Sequence, residues 1–212
     1  PSGNHLMEQI LTQGAVAVNN VTIDGVNKRS CVLSRRSGYT AGSFLYHNAC
    51  TNVHLRNVTL DCGNAEGFTA HGLHFAYCSG FTAENIHIRN FDASALSCSG
   101  DSGVGTYDTT DFVLRNISID GMGVARNGIL LNNCRDFTIA GVSGGYLTLT
   151  GAAGEPSVGI GVKTNCLRGL IYDVSLYTCR RAINIGAEGG VSQVKAWGVT
   201  ASNCISGIAS AL

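Results

Sequence analysis

The chain has 212 residues, and its 14 basic side chains balance its 14 acidic ones, so no net field draws nucleic acid or an anionic membrane. Charged residues make up 13% and apolar residues 44%, a balance that excludes disorder. No run of about 18 apolar residues exists to cross a membrane as a helix. The opening Pro1-Ser2-Gly3-Asn4-His5 is not a signal peptide and carries no starting Met. Residues 1–212 are therefore expected to be a single domain, a fragment cut at both ends from a longer protein.

In chain order, one short unit recurs: Asn20-Val21-Thr22-Ile23, Asn57-Val58-Thr59-Leu60, Asn85-Ile86-His87-Ile88 and Asn116-Ile117-Ser118-Ile119. Weaker copies follow at Gly141-Val142-Ser143, Asp173-Val174-Ser175-Leu176 and Gly198-Val199-Thr200. From Asn57 the spacings are 28, 31, 25, 32 and 25 residues, the range of a repeat array. Within each copy apolar and polar residues alternate, as in a strand with one buried face. A second strand precedes each, as in Val53-His54-Leu55 and Phe112-Val113-Leu114, and a third precedes that, as in Leu45-Tyr46-His47 and Ile129-Leu130-Leu131. Three short strands per period predict an all-β, right-handed parallel β-helix of about seven coils. Leucine-rich and helical repeats lack support, because the apolar period is two and Gly and Asn interrupt every stretch.

The nine cysteines fit this register. Cys50, Cys78, Cys134 and Cys166 share one place, between the first and second strands of their coils. Without any Cys-x-x-Cys pair, a buried ladder of free thiols is the expectation, folded in a reducing compartment. Asn57, Asn85 and Asn116 share a corner, where Asn tolerates a left-handed turn and bonds along the stack. Arg56, Glu84 and Arg115 form one row of alternating charge, and Asp61, Arg89 and Asp120 another. Both rows are expected to be ion-pair ladders between coils about 4.8 Å apart.

The opening Pro1-Ser2-Gly3, Val21-Thr22-Ile23-Asp24-Gly25 and the Cys-x-x-(Val/Phe)-x-(Leu/Ala/Ile)-x-Asn-(Val/Ile) units resemble the pectate-lyase-like right-handed β-helices. Within that group, phage tailspikes and tail-fibre depolymerases are the most similar. The resemblance implies a polysaccharide partner (capsule, lipopolysaccharide or other glycan), a homotrimer in the full-length protein, and residence on the virion after folding in the bacterial cytoplasm, or outside the cell. From the charge balance and the missing apolar run, no nucleic-acid partner and no membrane insertion are expected, and no cofactor beyond a weak structural calcium ion in the Asp-containing loops. No catalytic residue follows from a motif: Ala70-His71-Gly72 falls short of the polygalacturonase Gly-His-Gly, and the lyase and epimerase signatures are missing. The fold also serves as an inert shaft, so function rests on a site.

With the ladders set aside, the loops hold the candidates for chemistry. Glycoside hydrolysis needs two carboxyl groups, about 5 Å apart for retention or about 6.5–9.5 Å for inversion. Glu66 and Asp92 follow the same strand on neighbouring coils and form the first pair; Asp101 and Asp108 share a Gly-rich insertion and form the second. Cleavage by this route is the leading expectation. Elimination on a uronate instead needs a base and a cation, for which His74 and Tyr46 align one coil apart, with Arg126 and Lys163 on the same side. Tyr107 is a further aromatic surface for a sugar. His54 and His87 face outward with no acidic partner in register and are expected to be solvated surface.

Overall fold

In a computed structural model, residues 3–7, 10–12, 19–35, 43–63, 71–100, 108–123, 125–148, 157–186 and 189–210 are described. Among them are strands and no helix. In chain order they are β1 (Gly3–Met7), β2 (Ile10–Thr12), β3 (Val21–Asp24), β4 (Cys31–Arg35), β5 (Leu45–Asn48), β6 (Val53–Arg56), β7 (Thr59–Asp61), β8 (His71–Ala76) and β9 (Thr82–Arg89). The second half contributes β10 (Ser94–Ser99), β11 (Thr109–Asp120), β12 (Asn127–Asn132), β13 (Cys134–Gly145), β14 (Val158–Val162), β15 (Leu167–Tyr177), β16 (Arg181–Ile185), β17 (Ser192–Ser202) and β18 (Ser206–Ser210). Every pairing is parallel, and each strand lies against its counterpart one turn later. This is the expected parallel β-helix. Six turns run from β5 to β17, β2–β4 pair strand for strand with β5–β7 as a turn before them, and β1 and β18 add single strands at the ends, so the winding amounts to six to seven turns, in keeping with the expected seven or so.

The cross-section has three faces. One is the eight-stranded sheet β18-β16-β14-β12-β10-β8-β5-β2. The other two share a sheet in which β9, β11, β13, β15 and β17 run across both faces and bend between them. The bend is a single left-handed residue: Asn85 (φ 53°), Asn116 (54°), Gly141 (65°), Asp173 (54°) and Gly198 (62°). In the preceding turn the same corner, Asn57 (φ 60°), separates β6 from β7. The expected Asn corner is therefore a continuous row, and its first members are also bonded along the stack. Asn85 Nδ2 donates to Asn57 Oδ1 at 2.7 Å, and Asn57 Nδ2 donates to Asp24 Oδ1 at 2.9 Å. At Gly141 a β-carbon would meet Asn116 Oδ1 at 2.6 Å, so glycine there answers both the backbone angle and the crowding.

Inside, each row has one chemistry. Leu45, Leu73, Leu96, Ile129, Ile160 and Ile183 line the first sheet in register and are all fully buried. Phe81, Phe112 and Phe137 stack nearly parallel with centroids 4.7 and 5.6 Å apart, and Phe75 joins Phe81 at 3.9 Å. The stack stops at Gly169, the partner of Phe137, because the Phe137 ring occupies the space a β-carbon would take. All nine cysteines are free thiols, eight of them buried. In the expected row, Thr109 stands between Cys78 and Cys134, donating its hydroxyl to Ser99 O at 2.6 Å. The ion-pair rows are partly realised. Arg89 pairs with Asp61 at 2.9 Å, while Arg56 pairs with Asp24 at 2.8 Å and Asp120 accepts the Met122 N–H.

Two substitutions test this packing. Phe112→Ala is expected to cost about 3–5 kcal/mol, as for other buried aromatics. Gly141→Ala is expected to destabilise by more than the roughly 1 kcal/mol by which Ala usually outperforms Gly, with the opposite sign, because its φ is positive. Urea unfolding of both variants measures these values, and an unchanged midpoint for Gly141→Ala would refute the corner as a constraint.

Candidate functional site

The third face presents two outward rows. Val32, Thr59, His87, Ser118, Ser143, Ser175 and Thr200 are paired in register along the first. Ser34, Asp61, Arg89, Asp120, Gly145, Tyr177 and Ser202 form the second. Beyond Ser118 the first row is a run of exposed hydroxyls. At its other end the turn before β4 brings Lys28 and Arg29 over the sheet. Together Lys28, Arg29, Val32, Thr59, His87, Arg89 and Ser118 line a groove of about 430 Å³.

His87 sits at the middle of this groove, half-buried. Its Nδ1 lies 3.0 Å from Ser118 Oγ, and that hydroxyl lies 3.3 Å from the carbonyl of Ile86. A hydroxyl has one proton to give. With that proton on the Ile86 carbonyl, Ser118 accepts from Nδ1–H, which leaves Nε2 as the unprotonated nitrogen. Burial first, and then the charge of Arg89, hold the imidazole below its ordinary range, so it is neutral near pH 7. Arg89 is oriented by Asp61, which accepts from its Nε at 3.0 Å while its other oxygen accepts from Asn90. Thr59 donates to the carbonyl of Lys28 at 2.6 Å and so fixes the turn that carries the two cations. No carboxylate is among the described residues that line the groove. The resulting set is one neutral base among three cations, on a rigid sheet.

The first face carries the residues that sequence reasoning favoured for elimination. Tyr46 and His74 are in register with ring centroids 5.0 Å apart, and His71 contacts His74 edge-on at 5.0 Å. Both His74 nitrogens are occupied, Nε2 with Ser99 Oγ at 2.9 Å and Nδ1 with Ser43 Oγ at 3.5 Å. Burial lowers His74 to about 3 and raises the Tyr46 phenol. Arg126 precedes β12 and its N–H donates to Asp92 O at 3.1 Å, while Lys163 follows β14. Of the carboxylates, Asp92 is half-buried before β10, and Asp108 is engaged by Arg135 in an ion pair. Glu66, Asp101 and Tyr107 lie outside the described residues. His54 bonds Thr82 Oγ1 at 2.9 Å on the second face. The groove residues Lys28 and Arg29 drew no attention in the sequence. A turn cation and a strand histidine meet only through pairing between coils, and Arg89 reads as a ladder charge.

No protein-family model matches the sequence, and no characterised protein matches it by sequence. Among solved structures, the chain is similar to the enzymatically active domain of tailspike protein 2 of bacteriophage CBA120, with 14% identity and a TM-score of 0.48. That match covers 99% of this chain, which spans 38% of the tailspike chain. An alginate lyase from Paenibacillus sp. str. FPU-7 is similar at 14% identity and a TM-score of 0.43, covering 89% of this chain and 88% of that one. The A-module of a mannuronan C-5 epimerase from Azotobacter vinelandii follows at 12% identity and a TM-score of 0.35, covering 100% and 86%. At these values the likeness speaks to winding and carries nothing about activity.

Three histidines on the first face predict an acid limit to stability. Burial lowers His47 and His71 to about 4, and His74 to about 3. Unfolded histidine titrates near about 6.5. As pH falls from there towards about 4, the unfolded chain takes up protons that the folded chain refuses, so stability is full above that window and lost within it. His47 is fully buried against Phe75 and alone accounts for about 3 kcal/mol. Urea unfolding at pH 7.5 and 4.5 should show the loss. His47→Leu should shrink the difference, and an unchanged difference would sink this account.

Proposed function

We propose that the chain binds an acidic, uronate-bearing polysaccharide in the Lys28–Arg29–His87–Arg89 groove and cleaves it by β-elimination. The observation that carries this reading is His87, its Nδ1 3.0 Å from Ser118 Oγ, set beside Lys28, Arg29 and Arg89 in a groove with no carboxylate among its described lining residues. Elimination removes the proton α to the uronate carboxylate, and negative charge then accumulates on that carboxylate. Nε2 of His87 supplies the base, held in the required tautomer by Ser118. Lys28, Arg29 and Arg89 neutralise the developing charge, and because they are already in place the stabilisation needs no reorganisation. The hydroxyl row Ser143, Ser175 and Thr200 extends the groove along the helix axis, where a polymer would continue. Of the carboxylates anticipated for hydrolysis, Glu66 and Asp101 lie outside the described residues, and Asp108 is engaged by Arg135. A virion-borne homotrimer acting on capsule or lipopolysaccharide is the biological setting we propose for this activity.

Incubation of the protein with a panel of uronate-containing and neutral glycans tests the reading. Acidic glycans should yield products with the ultraviolet absorbance of an unsaturated uronate, and neutral ones none. His87→Ala should lower kcat by about 10²–10⁴-fold, the usual contribution of a general base, while Lys28→Ala with Arg29→Ala should raise KM. Activity should persist below pH 6.5, because the His87 proton is lost at lower pH than usual. Saturated products would replace elimination with hydrolysis, and undiminished turnover by His87→Ala would overturn the assignment of the base.

A further inference from the structure

Cys179 and Cys204 stand at the same corner of successive coils, each one residue beyond a left-handed residue, Thr178 (φ 50°) and Asn203 (φ 52°). The strands leading into them are paired through Tyr177 and Ser202. Their Sγ atoms lie 3.1 Å apart. Stacked strands about 4.8 Å apart fall within the Cα separation of about 4.4–6.8 Å that a disulfide spans. The thiols of the cysteine row, at another corner, are sealed in the core, with Cys78 Sγ donating to His47 O at 3.4 Å and Cys134 Sγ to Cys98 O at 3.4 Å. Cys204 differs from the other eight in reaching solvent, while Cys179 behind it is fully buried.

We propose that Cys179 and Cys204 are an oxidation site, closing to an inter-coil disulfide that clasps β16 and β17 when the protein meets a small-molecule disulfide. Cys204, the accessible thiol, loses its proton to solvent, and its sulfur attacks one sulfur of glutathione disulfide. That S–S bond breaks, one glutathione thiolate leaves, and a mixed disulfide remains on Cys204. Cys179 Sγ then attacks the Cys204 sulfur, the Cys204–glutathione S–S bond breaks, and the Cys179 proton passes to the departing second glutathione thiolate. Two protein thiols are oxidised and one glutathione disulfide is reduced to two glutathiones. Burial pushes the Cys179 thiol up, which makes it the resolving partner and not the entering one. The bond closes a loop that contains β16 and β17.

The test treats the whole chain with glutathione disulfide, blocks remaining thiols with N-ethylmaleimide in denaturant, and digests with trypsin. Arg180, Arg181 and Lys195 separate the two cysteines, so the expected product is peptide 169–180 linked to peptide 196–212, with two of the nine thiols lost. Cys204→Ser, at a partly exposed position that tolerates the change, should lose none. Amide exchange across β17 should slow in the oxidised wild type. Alkylation of all nine thiols, a glutathione adduct that persists on Cys204, a bridge between other cysteines, or unchanged exchange in β17 would each overturn the proposal.

Discussion

Every feature of this protein depends on parallel stacking in register. A coil can sit on the previous one only if its backbone turns at the same places, and each turn between the second and third faces uses one residue in the left-handed region. Asn57, Asn85, Asn116, Gly141, Asp173 and Gly198 are that one requirement met six times. Asn57 and Asn85 meet it with side chains that bond along the stack, and Gly141 and Gly198 meet it where a side-chain oxygen of Asn116 or Asp173 already crowds the space. Stacking also makes every residue a neighbour of its own counterpart. Leucines therefore face leucines, Phe81 lies on Phe112, and thiols collect in a row. The low charge and high glycine content of the chain follow from the same demand.

Stacking likewise explains how a site can be built without a dedicated loop. An outward row on a flat sheet holds its side chains at fixed intervals along the axis, so a base on one strand and hydroxyls on the next are positioned by backbone pairing alone. His87 takes its tautomer from Ser118, one coil away, and Arg89 takes its direction from Asp61, one coil the other way. The cations Lys28 and Arg29 come from a turn two coils before His87, held down by Thr59. Each contributor is ordinary in its own coil, and the chemistry arises from the column.

Much of the architecture was legible, because periodic patterns are a property of sequence spacing. The Asn corners, the cysteine row and the inward Leu/Ile rows were readable from the 25–32-residue recurrence, and all are present. Thr109 in the cysteine row was not, because the insertion before it shifts the spacing and Thr shares no apolar signature with Cys. The ladder of Asp61, Arg89 and Asp120 was read as uniform. Only Asp61 with Arg89 is an ion pair, since Asp120 turns to the Met122 N–H. His87 was taken for solvated surface because no carboxylate lay in register. Its partner is a serine, and a hydroxyl that has spent its proton orients an imidazole as well as a carboxylate does.

The sequence alone determined the all-β solenoid, its corners and the identity of its core rows, since alternation and recurrence are local constraints that any coil must satisfy. Only the tertiary structure decided which outward residues meet. It placed Tyr46 against a His74 whose two nitrogens are already occupied, set His87 among Lys28, Arg29 and Arg89, and brought Cys179 within 3.1 Å of Cys204. These encounters join residues about 25 to 60 positions apart in the chain, and their chemistry depends on burial and hydrogen-bond direction, which spacing does not encode.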